Sequence, residues 1–170
     1  MRWTLKCGDI LDQSADVLVC SANVFLNLSG GVGGAILLRY GEGMQKELHC
    51  ILAGQQRRFA QQGEVVITSP CGAPYRAVLH AVAVDGFYQS STQIVTAVVE
   101  KSLIMAASVG AERVALTALA TGYGRLSMRQ FAEGIAPLIE SSFLAIQEVI
   151  LCVRNDADLM DLIDVFPASV

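Results

Sequence analysis

Short, unbroken apolar runs recur along the chain, and most are followed by a turn and then by a longer segment of helical spacing. Residues 2–6 alternate and predict a first strand, turned by Gly8 and Asp9. Val17, Leu18, Val19 and Cys20 form a short continuous run, the kind that a sheet buries on both faces. A helix is expected to open at Ala35 and to pause at Gly41 and Gly43. A second should cover 44 to about 61, with Leu48, Ile51, Leu52 and Phe59 as its apolar stripe and Gly63 as its stop. Strands are expected over 64–68 and 77–84, separated by Pro70, Gly72 and Pro74.

Ser90 or Ser91 can cap the next helix, and Ser90 with Gln93 fits a capping box. Its apolar body covers 94–107, and Gly110 closes it. Residues 113–119 read as another buried strand. Ser127 with Gln130 makes a second capping box, opening a helix to about 146 with Pro137 as an irregularity. A last strand is expected over 149–153. Asn155 or Asp156 then caps a short helix in which Leu159, Leu162, Ile163 and Phe166 keep the spacing of one face. Five buried-type runs alternating with helices predict a largely parallel sheet covered on both faces. With no internal repeat, low-complexity stretch or linker, residues 1–170 read as one α/β domain.

Composition narrows the function classes. The chain is 53% hydrophobic and 16% charged, below the usual ~25%, with a mean hydropathy of +0.48. Its long apolar stretches are nevertheless interrupted by Glu100 and Lys101, and by Glu133 and Glu140, which argues against a membrane span. The opening residues have no apolar core of signal-peptide length, so a cytoplasmic location is the expectation. A net charge of −4 argues against general nucleic-acid binding. The five cysteines show no metal-site spacing and read as reduced, mostly buried small hydrophobes. His49, Cys50, Cys71 and His80 have no ligand-pair spacing either, so neither a metal nor a cofactor is expected.

Candidate chemistry lies in two loops. After the first buried run come Ser21, Ala22 and Asn23, then a loop containing Gly30, Gly31, Gly33 and Gly34 that leads into a helix. A strand, a glycine-rich loop and a helix together expose backbone N–H groups at a positive helix end, where an anion can sit. Taken alone, the cluster reads equally well as a surface loop. The second, Ala120-Thr121-Gly122-Tyr123-Gly124, follows the strand at 113 and leads to the helix capped by Ser127. Ligands of open α/β sheets bind beyond the carboxyl ends of the strands. Two such loops could face one another and grip one diphosphate from both sides.

These motifs resemble those of macrodomains, the family that binds ADP-ribose. Gly8-Asp9-Ile10 matches the family's N-terminal motif. Asn23, Leu26, Gly30, Gly31, Val32, Ala35 and Ile36 match the long asparagine–glycine motif without a gap, and Ala120 to Gly124 match the later glycine loop in a form one residue shorter. The order of elements agrees over nearly the whole chain. The resemblance implies a three-layer α/β/α fold with a mixed, largely parallel central sheet. It also implies a cleft in which Asp9 accepts from the adenine amine while the Ile10 N–H meets a ring nitrogen. Asn23, beside Ala22, would hold the hydroxyls of the distal ribose. Ser29, Gly30, Gly31, Val32 and Gly33 on one side, and Ala120, Thr121, Gly122, Tyr123 and Gly124 on the other, would surround the diphosphate. Arg154 stands where many relatives place an aromatic on adenine, and a guanidinium plane can stack there instead. The residues alone leave other roles open: a turn cap for Asp9, a loop tie for Asn23 and a solvated side chain for Arg154.

The family divides into readers and hydrolases of ADP-ribosyl groups. Ser21 and Ser29 depart from its motif, and Gly33 and Gly124 stand where hydrolytic relatives carry an acid. No Asp, Glu or His lies within 24–41 or 118–132. General-base catalysis needs a titratable group in reach of the water. Asp85 and His80 are the only titratable candidates outside these loops, and His80 reads as a core histidine, which leaves Asp85, with Asn23 of the motif itself, as the catalytic candidates. The expected function is therefore binding of ADP-ribose, or of an ADP-ribosylated protein or metabolite, with hydrolysis of such ADP-ribosyl groups as the alternative.

Overall fold

In the computed structural model, which describes residues 1–166, six strands form one sheet. They are β1 (Arg2–Cys7), β2 (Val17–Ala22), β3 (Val65–Thr68), β4 (Ala77–Val82), β5 (Arg113–Thr117) and β6 (Glu148–Val153), in the spatial order β1-β6-β5-β2-β4-β3. Every neighbouring pair is parallel except β3 with β4, which is antiparallel at the sheet's edge. The expected largely parallel, mixed sheet is thus the observed one.

Period-two side-chain alternation divides the core between the two faces. Along β2, Val17 and Val19 enter one apolar cluster, while Leu18, Cys20 and Ala22 enter the other. The first cluster is covered by helices α3 (Thr92–Ser108), α4 (Met128–Ile139) and α5 (Asp156–Ile163), through Val95, Val99, Phe131, Ile135 and Leu162. The second is covered by α1 (Gly31–Tyr40) and α2 (Gly43–Gly54), through Ile36, Met44, Leu48 and Leu52. Helices on both faces of the sheet give three layers, α/β/α.

Several boundaries differ from the sequence expectation. Helix α1 begins at Gly31 instead of Ala35, taking the glycines into its first turn. Helix α2 stops at Gly54, well short of 61. The chain reverses there through Gln56 at φ 55°, and Ala60 donates to the Val24 carbonyl at 2.8 Å. Phe59 therefore lies outside the helix, edge-on to Phe25 with ring centroids 5.2 Å apart. Helix α4 keeps Pro137 but ends at Ile139, not near 146. Its Ser127–Gln130 capping box is present, whereas α3 is capped by Ser91 alone, whose hydroxyl accepts from the Ile94 N–H. Of the two residues offered as the cap of α5, Asn155 is the one that caps it, its side chain accepting from the Asp158 N–H.

Two polar knots lie in this framework. Glu148, at the amino-terminal end of β6, gathers Arg2 at 2.8 Å, Thr4 at 2.7 Å and Arg113 at 2.9 Å from the flanking strands. Burial raises the carboxyl's pKa, but these three donors outweigh it and hold the group below its usual range. His80, fully buried on β4, has Cys20 Sγ at 3.5 Å from Nδ1 and Thr68 Oγ1 at 3.0 Å from Nε2. Desolvation lowers its pKa to about 4, so the ring is a neutral core group. Burial likewise pushes the Cys20 thiol up to about 12. Only Cys20 and Cys152 are buried, while Cys7 and Cys50 are exposed, so the expectation of mostly buried cysteines does not hold. No helix among the described residues is long and apolar enough to cross a membrane.

Candidate ligand-binding cleft

The carboxyl ends of β1, β6, β5, β2 and β4 all open on the same rim of the sheet, because these strands are parallel. A cleft of about 440 Å³ runs along that rim. Four interstrand steps of ~4.8 Å make the rim about 19 Å long, enough for an extended nucleotide. Sheet order fixes what lies where. Asp9 and Ile10 follow β1, Arg154 follows β6, the second glycine loop follows β5, and Asn23 with the first loop follows β2.

At the β1 end, Asp9 caps a 3-10 turn over Ile10–Asp12, its Oδ1 accepting from the Leu11 N–H at 2.9 Å. Its Oδ2 pairs with Arg39 of α1 at 3.0 Å, and Arg39 also meets Asp12 at 2.6 Å. Asp9 therefore has the cap role that its sequence context left open, and it also lines the cleft. Arg154 lines the same end, exposed and without an ion pair among the described residues. Asp158, which sequence reasoning missed, also lines this end from the first turn of α5.

The first glycine loop meets the rim as the amino terminus of α1. Gly30 is the cap residue, at φ 62° and ψ 174°, a region open essentially to glycine alone. A Cβ on Gly33 would come within 3.0 Å of Leu28 Cα. The N–H groups of Gly31, Val32 and Gly33 have no protein acceptor among the described residues. They stand at the positive end of the helix dipole, which suits an anion. In the second loop Ala120 turns at φ 63°, and a Cβ on Gly124 would collide with the Ala120 backbone. The Thr121 hydroxyl donates to the Ala118 carbonyl at 2.9 Å. The N–H groups of residues 121–124 are likewise without protein acceptors among the described residues.

The two loops approach each other across the cleft. Ser21 Oγ accepts from the Ala120 N–H at 3.4 Å, and the Tyr123 side chain lies against Gly30. All fifteen predicted ligand-binding positions line this one cleft: Asp9, Ile10, Ala22, Asn23, Ser29, Gly30, Gly31, Val32, Gly33, Ala120, Thr121, Gly122, Tyr123, Gly124 and Arg154.

The two catalytic candidates are placed differently. Asn23 lines the cleft, but its amide also ties its own loop: Oδ1 accepts from the N–H of Phe25 at 3.0 Å, and Nδ2 donates to the Asn27 carbonyl at 3.3 Å. Asp85 is not a lining residue. Its Oδ1 accepts from the N–H groups of Phe87 and Gln89, each at 2.8 Å, which is the turn role that competed with catalysis. Tyr88, held by that turn, lines the cleft although sequence reasoning passed over it. Asp85-Gly86 signalled a turn there, but nothing in the sequence showed which way it faced. No cluster of three metal-ligating side chains occurs among the described residues.

Fold and site together define an α/β/α protein that presents, at the carboxyl rim of its sheet, two glycine loops whose backbone N–H groups lack protein acceptors among the described residues. The profile of the Macro domain family matches residues 19–135, and the chain belongs to that family. It is 33% identical over 147 residues to a Macro domain-containing protein in the sno 5′ region of Streptomyces nogalater, an alignment covering 86% of this chain and 81% of that protein. A second such protein, in the non 5′ region of Streptomyces griseus, is also 33% identical, with 81% and 83% covered. The fold is shared with the Oceanobacillus iheyensis macrodomain with ADP, at a TM-score of 0.84, 19% identity, and 95% and 87% coverage. It is also shared with the Trypanosoma brucei macrodomain in complex with ADP-ribose, at 0.79, 20% identity, and 94% and 67% coverage.

Proposed function

We propose that this protein is a reader that holds ADP-ribose, free or attached to a protein or metabolite, along the cleft. Adenine lies at the β1–β6 end, where Asp9 accepts from its exocyclic amine and the Arg154 guanidinium stacks on the ring. An ionised carboxylate can only accept, so it favours an amino-bearing base over a keto edge. The diphosphate lies between the two glycine loops, and the distal ribose lies beside Asn23.

The observation that carries this reading is the pair of facing backbone N–H clusters, residues 31–33 and 121–124, neither of which has an acceptor of its own among the described residues. They supply donors for two phosphates without adding formal charge, consistent with a chain of net charge −4. Family membership and solved macrodomains that carry ADP and ADP-ribose support the same ligand. The chemistry of the lining supports binding over turnover. Its charged members, Asp9, Arg154 and Asp158, belong to the β1–β6 end, and the glycine loops offer no side chain that could serve as a general base.

Calorimetry with ADP-ribose, ADP, AMP and a nucleotide lacking the amine, such as GDP, tests the assignment. Micromolar or tighter binding of ADP-ribose, with GDP much weaker, is expected, and the absence of any binding heat overturns it. Incubation with O-acetyl-ADP-ribose and with a mono-ADP-ribosylated protein should give no turnover above background. Turnover lost in Asn23→Ala would make the protein a hydrolase.

A further inference from the structure

The cleft does not end at Asn23. Strand β4 lies one place beyond β2, and Val84 and Tyr88, which follow β4, line the cleft on that side. Gly86 of the same turn lies over Val24, the neighbour of Asn23. The carboxyl rim therefore carries lining side chains past the point at which the distal ribose is assigned.

Tyr88 is held in place by its turn. Besides the two bonds to Asp85 Oδ1, the Tyr88 N–H donates to the Asp85 carbonyl at 3.1 Å and the Asp85 N–H donates to the Gln89 carbonyl at 3.0 Å. Gln62 Nε2 fastens the same Gln89 carbonyl from outside, at 2.8 Å. Within this frame Tyr88 adopts φ 60°, the left-handed region that a bulky residue rarely enters. Strain of this kind persists where the surroundings over-determine it, and it clusters at ligand clamps.

The result is an aromatic wedge on the rim. The rings of Tyr88 and Tyr123 stand 6.2 Å apart between centroids and 48° apart in plane, and neither hydroxyl has a protein partner among the described residues. The charged lining residues belong to the opposite end of the cleft. The wedge thus offers shape and π-surface, and the nearest carboxylate, Asp85, is engaged by the N–H groups of its own turn.

We propose that Tyr88 and Tyr123 wall a further subsite, past Asn23, that takes a flat ring carried on the distal ribose of the bound nucleotide. This rests on the assignment of that ribose to Asn23. Two aromatic faces set at an angle receive a flat ring by offset stacking on one and edge contact with the other. If the ring is cationic, both faces attract it. Asp85 is a positioning residue in this arrangement, since its carboxylate fixes the backbone that aims Tyr88.

The test is calorimetry of ADP-ribose and of NAD, which adds a flat cationic ring to the same distal ribose, on the wild-type protein and on Tyr88→Ala, Tyr88→Phe, Asp85→Ala and Asp85→Asn. The wild type should bind NAD within about tenfold of ADP-ribose, and Tyr88→Ala should weaken NAD about fivefold or more beyond its effect on ADP-ribose. Tyr88→Phe should keep the preference. Asp85→Ala should reproduce the selective NAD loss, and Asp85→Asn, whose amide oxygen still accepts, should restore it. Circular dichroism melts establish that each variant is folded. Weaker NAD binding by the wild type than that range, or equal losses of both ligands in Tyr88→Ala, overturns the subsite. If ADP-ribose still binds, only the subsite falls. If the wild type binds neither ligand, the nucleotide assignment falls with it.

Discussion

Tyr123 of the second glycine loop lies against Gly30 of the first, so close that a Cβ on Gly30 would strike the tyrosine ring and hydroxyl. The contact joins two segments about ninety positions apart in sequence into one roof over the central cleft. Gly30→Ala meets two obstacles there, the collision itself and a backbone at φ 62° and ψ 174°. The backbone strain alone is of order 1–3 kcal/mol. Loss of ADP-ribose affinity is expected, and adding Tyr123→Ala should relieve the collision but not the strain. A titration of both variants in which the double mutant recovers nothing would remove the roof contact from the account.

Asp9 is shared between the turn it caps, Arg39 and the cleft. Asp9→Ala is expected to weaken ADP-ribose by about 1–3 kcal/mol through loss of a desolvated hydrogen bond. Arg39→Ala breaks two ion pairs, with Asp9 and Asp12, both partly exposed, and roughly 0–1 kcal/mol is usual for each. Calorimetry should therefore rank the two variants in that order. An Arg39→Ala loss as large as that of Asp9→Ala would make the arginine a direct contact.

Gly31 lies in the proposed anion site with no atom within 4 Å of where a Cβ would stand. Gly31→Glu should therefore place bulk and negative charge where the diphosphate is proposed to lie, with a cost in stability limited to the left-handed backbone at φ 48°. Abolished binding with a retained, slightly lowered melting temperature is expected. Normal binding by this variant would move the diphosphate elsewhere.

His80 makes folding pH-dependent. Its pKa falls from 6.5 to about 4 in the folded protein, because burial disfavours the charged ring and the nearby Glu47 opposes this only in part. Above pH 6.5 both folded and unfolded states hold the neutral ring, and the full stability is present. As pH falls from 6.5 towards 4, the unfolded state takes up the proton first and stability is lost, up to about 3 kcal/mol for a shift of this size. Urea unfolding across that range should show the decline, flattened in His80→Gln. An unchanged slope in the variant would assign the acid sensitivity to other groups.

Much of this architecture can be read from the chain itself, because buried parallel strands are runs that few other structures tolerate. Val17 to Cys20 and the apolar run that opens at Ala77 declare themselves in this way. The boundaries that escaped are those set by distant partners. The end of α2 at Gly54 depends on the Ala60–Val24 hydrogen bond and the Phe25–Phe59 contact, neither of which has a local signature. At the site, the glycine loops were legible because glycine is favoured where the backbone turns left-handed, as at Gly30, and where another backbone approaches too closely for a Cβ, as at Gly33 and Gly124. Tyr88 was not, because its orientation depends on a left-handed turn built without glycine at that position. Asp85 had the opposite fault, being chemically eligible for catalysis but occupied by its own turn.

The Glu148 knot fastens β1, β5 and β6 at the rim farthest from the cleft. The molecule consequently has a distinct front and back. Grafting it to a biosensor chip through that rear edge would leave the cleft facing the flowing sample, whereas attachment near the loops would hide it. Probes placed on the rear edge could likewise report unfolding without disturbing ligand capture.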